Sequence, residues 1–259
     1  MLHQKYSDVF TNLLLPRESF RPFPAVSDRK EWGKISPAIQ KSILSRAEKV
    51  AAGEWKILPA TGYMDFERSG DRNRYEAVYF ERRSRILALA LAECLENKGR
   101  FLDPLVNGIW LVCEETSWVV PAHNSHLGGP KALPDKDLVY LDLFSAETGS
   151  LLSWVHYFLA EKLAALSPLI PDRIEKEIDR RVVAPFETHE DFWWMGFRLA
   201  PGERVNNWNP WIHSNVLTTL LVLEKNPERR ARLLGKSMRS LDRFIEPYPK
   251  DGGCDEGPG

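Results

Sequence analysis

The strongest constraint on the fold is a rhythm. Apolar residues recur at helical spacing along most of the chain, and the breaks between these stretches alternate between short and long. The run 101–115 places Leu102, Leu105, Val106, Ile109, Trp110 and Cys113 on one i, i+3, i+4 stripe. The run 74–97 does the same with Val78, Ile86, Leu87, Leu91, Cys94 and Leu95, and Gly99 ends it. Residues 36–52 open on Ser36-Pro37, an N-cap followed by proline at the first helical position, where a missing N–H costs nothing. Further helices are predicted over 143–166, 169–184, 210–224 and 228–245, and strand signals are nearly absent. Short turns fall near 98–100, 167–168 and 225–227, while long, polar, aromatic-rich loops fall at 116–136, 185–209 and 246–259. Helices joined by a short turn pack antiparallel. Three such hairpins in succession put the short turns at one end and the long loops at the other. The expected architecture is all-α: an incomplete α/α toroid, or barrel, of antiparallel helical hairpins over 36–259, preceded by an N-terminal arm at 1–35. An α-solenoid shares the rhythm, but it would carry a recurring sequence motif, and none is visible.

Composition narrows the partners. A formal net charge of -1 gives no global basic field, so neither nucleic acid nor an anionic membrane is an expected partner. An anionic substrate would need local arginines. Nine tryptophans is a high count, and several stand in polar loops among Asn, His and Asp, where flat rings can stack on pyranose faces. Cys94, Cys113 and Cys254 are too few and too scattered for a disulfide framework or a zinc site, and Cys94 and Cys113 read as buried thiols. No apolar run reaches membrane-span length. Met1 to Phe23 shows no leader signature, so the expected location is cytoplasmic, or periplasmic if a leader has been removed. No phosphate loop, dinucleotide fingerprint or nucleophile elbow is present, and no metal or cofactor is expected. His156 reads as a core histidine, and the charge run 228–232 as a solvated helix start.

The candidate chemistry lies in the long loops. In Val205-Asn206-Asn207-Trp208-Asn209-Pro210-Trp211-Ile212-His213, Asn209-Pro210 reads as an N-cap with proline in the first turn. Asn206 and Asn207 then stand just ahead of a helix N-terminus, where free N–H groups and a partial positive charge favour a carboxylate. An amide donor there can neutralise a substrate carboxylate without taking a proton. Asn206 and Asn207 are therefore catalytic candidates, with His213, one turn further on, placed either toward the groove or as a structural histidine. Trp208 and Trp211 offer stacking rings. A second loop supplies His189, Glu190, Asp191, Trp193 and Trp194, followed by Arg198 and Arg204 for gripping an acidic sugar. His189-Glu190 lacks the second histidine of a zinc helix. A third loop holds His123 and Asn124 on a turn fixed by Pro121. The last, 251–259, presents Asp251 and Glu256 among glycines that allow a tight turn.

The pattern of 251–259, Asp-Gly-x-x-x-Glu-Gly-Pro-x, together with Asn206 to Trp211, resembles the active-site segments of heparinase II/III-like polysaccharide lyases. Glu114-Glu115-Thr116-Ser117-Trp118 followed by Pro121-Ala122-His123 resembles a segment bordering the cleft in the same family. The resemblance implies a toroid followed by β-sandwich sheets, of which this sequence would carry the toroid part alone. It implies β-elimination at a uronic acid in a heparin-, heparan- or alginate-like polysaccharide or oligosaccharide. It implies an Asn or His of the 206–207 segment as the group that neutralises the carboxylate. It also implies a tyrosine directly after the terminal motif for proton chemistry, which would follow Gly259, so a fragment ending there is expected to turn over little. Where several relatives place His after Asn, this chain has Trp208. Two alternatives stand beside the lyase. One is a toroid glycoside hydrolase with Asp191 and Glu256 as paired carboxylates. The other is a non-catalytic glycan-binding helical module.

Overall fold

The computed structural model describes residues 2–6, 10–127, 132–200 and 202–253, with the side chains of all but 10, 11 and 125–127. Among the described residues the chain is all-helical and has no strand. The first 35 residues hold α1 (Leu2–Tyr6), α2 (Phe10–Leu13) and α3 (Arg29–Trp32). Next come α4 (Pro37–Ala51) and α5 (Ala60–Ser69), the latter not anticipated from periodicity. Long helices follow: α6 (Asn73–Glu96), α7 (Leu102–Glu114), α8 (Leu143–Leu166), α9 (Leu169–Ile178), the short α10 (Ala184–Thr188), α11 (Trp208–Leu223) and α12 (Pro227–Ile245). The pairs α6 with α7, α8 with α9, and α11 with α12 pack together, and α8 also packs against α6 and α11. Ile86 and Leu89 of α6, Leu105 and Ile109 of α7, Leu152 and Leu159 of α8, and Val216 and Leu220 of α11 share one core.

Helix ends follow local chemistry. Ser36 caps α4 by accepting from Ile39 N at 3.4 Å, and Asn226 caps α12 by accepting from Arg229 N at 2.9 Å. The α6–α7 turn is held from inside. Glu93 is fully enclosed, and its Oε1 accepts from Gly99 N at 2.8 Å and from Lys162 Nζ of α8 at 2.5 Å. Gly99 takes φ +83°, a left-handed value open to glycine.

The predicted helix 169–184 runs further than expected. A π turn, Asp179–Val183, joins α9 to α10, so helical backbone continues to Thr188. Pro185 explains the wider turn. It has no N–H to offer one turn back, and its ring would crowd an ideal α-turn before it. Gly149 on α8 makes room, because a Cβ there would lie 2.8 Å from Val182. The turn also aims Arg181 at carbonyls at and just past the end of α7, Cys113 O at 3.3 Å and Thr116 O at 3.2 Å. Cys94 and Cys113 are buried free thiols, each pushed up to about 12 by burial.

The N-terminal arm straps helices that are distant in sequence. Arg17 Nε donates to Val222 O at 3.1 Å near the end of α11, and Arg29 reaches Cys94 O at 2.7 Å near the end of α6. Both carbonyls lie beside short turns. At α1, Leu2 N and His3 N donate to the Asp242 carboxylate of α12, at 2.7 and 3.0 Å. The start of α12 is not merely solvated: Arg230 is buried and bonds Leu15 O, and Arg229 pairs with Asp179, Glu187 and Glu224. Among the described residues no helix is long and apolar enough to cross a membrane.

Candidate functional site

The N-termini of α8 and α11 meet under a group of aromatic rings. Asp142, fully enclosed, is the N-cap of α8, and its Oδ1 accepts from Ser145 N at 2.8 Å. Its Oδ2 lies 2.6 Å from His123 Nδ1. A carboxylate only accepts, so Nδ1–H donates, which puts the lone pair of the neutral ring on Nε2. The His123 ring lies parallel to Phe144 at 5.4 Å and 4.6 Å from the ring of Trp208. Trp193 sits 5.0 Å from the same indole, and Trp211 meets Phe144 edge-on at 6.2 Å. Loops that are 70 to 85 residues apart in the chain thus share one face, since residue 123 meets residue 208 and residue 208 meets residue 193.

Asn206 and Asn207 directly precede Trp208 in the chain, but the helix begins earlier than the sequence suggests. Asn206 Oδ1 accepts from Trp208 N at 3.0 Å, and Asn207 is the N-cap position. Asn209 is therefore not the cap. It lies fully buried in the first turn, its Nδ2 donating to Trp194 O at 2.8 Å and Ser240 Oγ at 3.0 Å. Packing against α12 outweighs its capping preference.

Other candidates fall elsewhere. His213, expected as catalytic, is fully enclosed between α11 and α12. Its Nδ1 lies 3.2 Å from Ser237 Oγ and its Nε2 2.6 Å from Ser240 Oγ. Burial, then the nearby Lys236 charge, lowers its pKa to about 3. No substrate reaches it, so the catalytic role is withdrawn. Trp194, expected to line the groove, is also fully buried and donates Nε1–H to Leu141 O at 2.9 Å; it belongs to the core. Asn124 is turned inward, 2% exposed, with Nδ2 donating to Leu133 O at 3.4 Å. It shapes its loop.

His189, Glu190 and Asp191 form an exposed group beside α12. His189 Nδ1 lies 2.9 Å from Asp191 Oδ1, and Glu190 faces Arg239 at 3.7 Å. His189 beside it holds the Asp191 carboxyl below its ordinary range. Arg204 is exposed in the same loop. Asp251 accepts from Gly253 N at 3.0 Å, closing a local turn. Glu256 lies outside the described residues.

Sequence reasoning missed Asp142 and Phe144. Asp142 had a readable signal, an acidic residue directly before a predicted helix. It also missed a buried charge cluster behind the site. Arg83 stacks 3.2 Å over Tyr79, donates to Thr148 Oγ1 at 2.9 Å and pairs with Glu115 at 2.6 Å, while Arg82 reaches the same carboxylate at 3.1 Å. Among the described residues no group of three or more His, Cys, Asp or Glu is placed to hold a metal ion. No protein-family model matches the chain, and neither does any curated protein.

Proposed function

We propose that the chain is the helical part of a polysaccharide lyase similar to the heparinase II/III group. In this reading it folds as an incomplete α/α toroid and cleaves a uronic-acid polysaccharide by β-elimination. One observation carries the reading: His123, fastened to Asp142 at 2.6 Å, meets Trp208 at 4.6 Å, directly beside Asn206 and Asn207. A proton carrier, two amides and stacking rings share one face.

The chemistry follows from those groups. The substrate carboxylate sits at the start of α11, where Asn206 or Asn207 and the helix N-terminus draw charge from it. The proton on C5 then becomes acidic. His123 Nε2 takes it, with Asp142 steadying the resulting imidazolium. The C5–H electron pair forms the C4=C5 double bond, the C4–O4 bond breaks, and O4 leaves with a proton. That last proton comes from the tyrosine the resemblance implies.

The test is the ultraviolet absorbance of the unsaturated product when the full-length protein, carrying the tyrosine the resemblance implies, is incubated with heparin, heparan sulfate or alginate. A rise that disappears in Asn206→Ala/Asn207→Ala and His123→Ala supports the reading, and no rise on any substrate overturns it. Exposed Trp193 and Trp211, 40% and 41% open, also suit a glycan-binding module without turnover. Glycan binding with no product would select that alternative. The hydrolase alternative gains nothing, because Asp191 is held ionised by His189 and makes a poor general acid.

A further inference from the structure

A separate cleft of about 270 Å³ lies between the start of α5, the first half of α6 and the end of α7. The rings of the His123 face do not line it. Three independent features converge on it, and each favours a negative ligand.

The first is the α5 N-terminus. Its N-cap, Pro59, has no side-chain acceptor, and the amides of Ala60 and Thr61 make no hydrogen bond among the described residues. Pro59 and Ala60 line the cleft, and α5 is ten residues long, enough for its aligned peptides to present a partial positive charge there. The second is Tyr75. It is 9% exposed, it lines the cleft, and its hydroxyl makes no hydrogen bond among the described residues. Burial raises its pKa, so the hydroxyl stays a donor at neutral pH. The third is the charge behind it. Arg82 and Arg83 share the single carboxylate of Glu115, which leaves one positive charge in excess. Arg82 and Glu115 both reach the cleft wall.

The opposing charges are weaker. Glu114 also lines the cleft but stands exposed, where water screens it. Glu147 on α8 feels Arg83 and does not line the cleft. Buried donors are normally satisfied, so an open hydroxyl and open amides around one space mark where an acceptor belongs. The remaining wall suits a sugar body. Tyr63 and Leu58 give apolar surface, and Thr116 and Ser117 add hydroxyls.

We propose that this cleft binds the carboxylate or sulfate group of an acidic sugar unit, separate from the unit that reacts at His123. The sugar identity rests on the lyase reading, whereas the anion preference rests on the cleft alone. The α5 amides and the Tyr75 hydroxyl hold the anion, and Arg82 supplies the field.

Calorimetric titration with glucuronate, N-acetylglucosamine 6-sulfate, neutral glucose and inorganic sulfate tests this. Either acidic sugar is expected to bind about tenfold tighter than glucose, as charge-assisted bonds require. Tyr75→Phe removes one hydroxyl from the wall and is expected to weaken the acidic sugars about fivefold while leaving glucose unchanged. Ala60→Asp places a carboxylate at the α5 N-terminus, which favours the helix but fills the anion site, so acidic-sugar binding should vanish from a folded protein. Equal binding of glucuronate and glucose overturns the proposal, as does unchanged binding in both variants. Inorganic sulfate binding as tightly as the sulfated sugar overturns the sugar part. Failure of the lyase reading looks different: acidic sugars still bind and respond to Tyr75→Phe, but no unsaturated product forms from any polysaccharide.

Discussion

Two regions of this molecule each fasten a histidine to side-chain oxygens, with opposite results. Between α11 and α12, His213 is fully enclosed, bonds two serine hydroxyls and meets Phe186 and Trp194 edge-on. Its partners are neutral, so nothing offsets the cost of burying a charge, and its pKa falls to about 3. Over the α8 N-terminus, His123 bonds a carboxylate and keeps 10% of its side chain open beside stacked rings. Residue type does not separate them; the partner and the access do. Hydroxyl partners and a sealed wall give a structural histidine. A buried carboxylate behind a ring that keeps a small opening gives the histidine to which the proposed reading assigns proton transfer.

The contrast breaks most visibly at Trp194. It is fully buried and bonded to Leu141 O, so Trp194→Ala is expected to cost about 3–5 kcal/mol in chemical denaturation. A loss below about 1 kcal/mol would mean the region around α11 and α12 is not the packed wall described.

The pH response of that wall comes next. Burial sets the folded pKa of His213 at about 3, below the unfolded value near 6.5. The unfolded chain therefore binds a proton that the folded one refuses. This stability is fully present above about pH 6.5 and is lost as pH falls toward 3, with about 3 kcal/mol gone by pH 4. Urea midpoints of the parent and His213→Gln at pH 7 and pH 4 test the sign. The parent should lose more between the two pH values, and parallel losses would contradict the assignment.

At His123 the comparison is sharpened by Asp142→Asn. Asparagine still caps α8, so stability should drop by only about 1 kcal/mol. The amide no longer fixes the Nδ1–H tautomer or steadies an imidazolium. Turnover on the responsive polysaccharide should fall at least about 100-fold with little change in KM. Unchanged turnover would remove His123 from the chemistry.

These regions were unequally legible in the sequence. The long helices were readable because apolar spacing, Ser36-Pro37 and Asn226-Pro227 are local signals. The extension to Thr188 was not, because Pro185 reads as a stop, and only the π turn against Gly149 makes it tolerable. The alternation of loop lengths led to the expectation that residues 123, 206–207 and 256 share one rim; His123 does meet Trp208, which follows 206–207, while Glu256 lies outside the described residues. Which neighbour faces inward was not readable. Trp193 and Trp194 are both indoles in one polar loop, and Asn207 and Asn209 both precede or open one helix. Tertiary packing chose between them. The Arg82, Arg83 and Glu115 cluster was hidden for the same reason, since its partners lie more than 30 residues apart.

Trp193 gives the finest test of that choice. It follows Phe192 in the short 3-10 turn Trp193–Met195, and its neighbour Trp194 points into the core while Trp193 itself stays 40% exposed. Its ring rests 5.0 Å from Trp208, on the face that His123 and Trp208 share. Removing it takes little from the core, so Trp193→Ala should change stability by under about 1 kcal/mol. A stacking ring lost from a sugar-binding face should instead weaken acidic oligosaccharide binding about fivefold, read by titration. Adjacent tryptophans would then divide cleanly, one deciding whether the chain folds and the other how well it holds a glycan. If Trp193→Ala destabilises the protein as much as Trp194→Ala and leaves binding intact, the ring belongs to the interior and the aromatic face loses one of its walls.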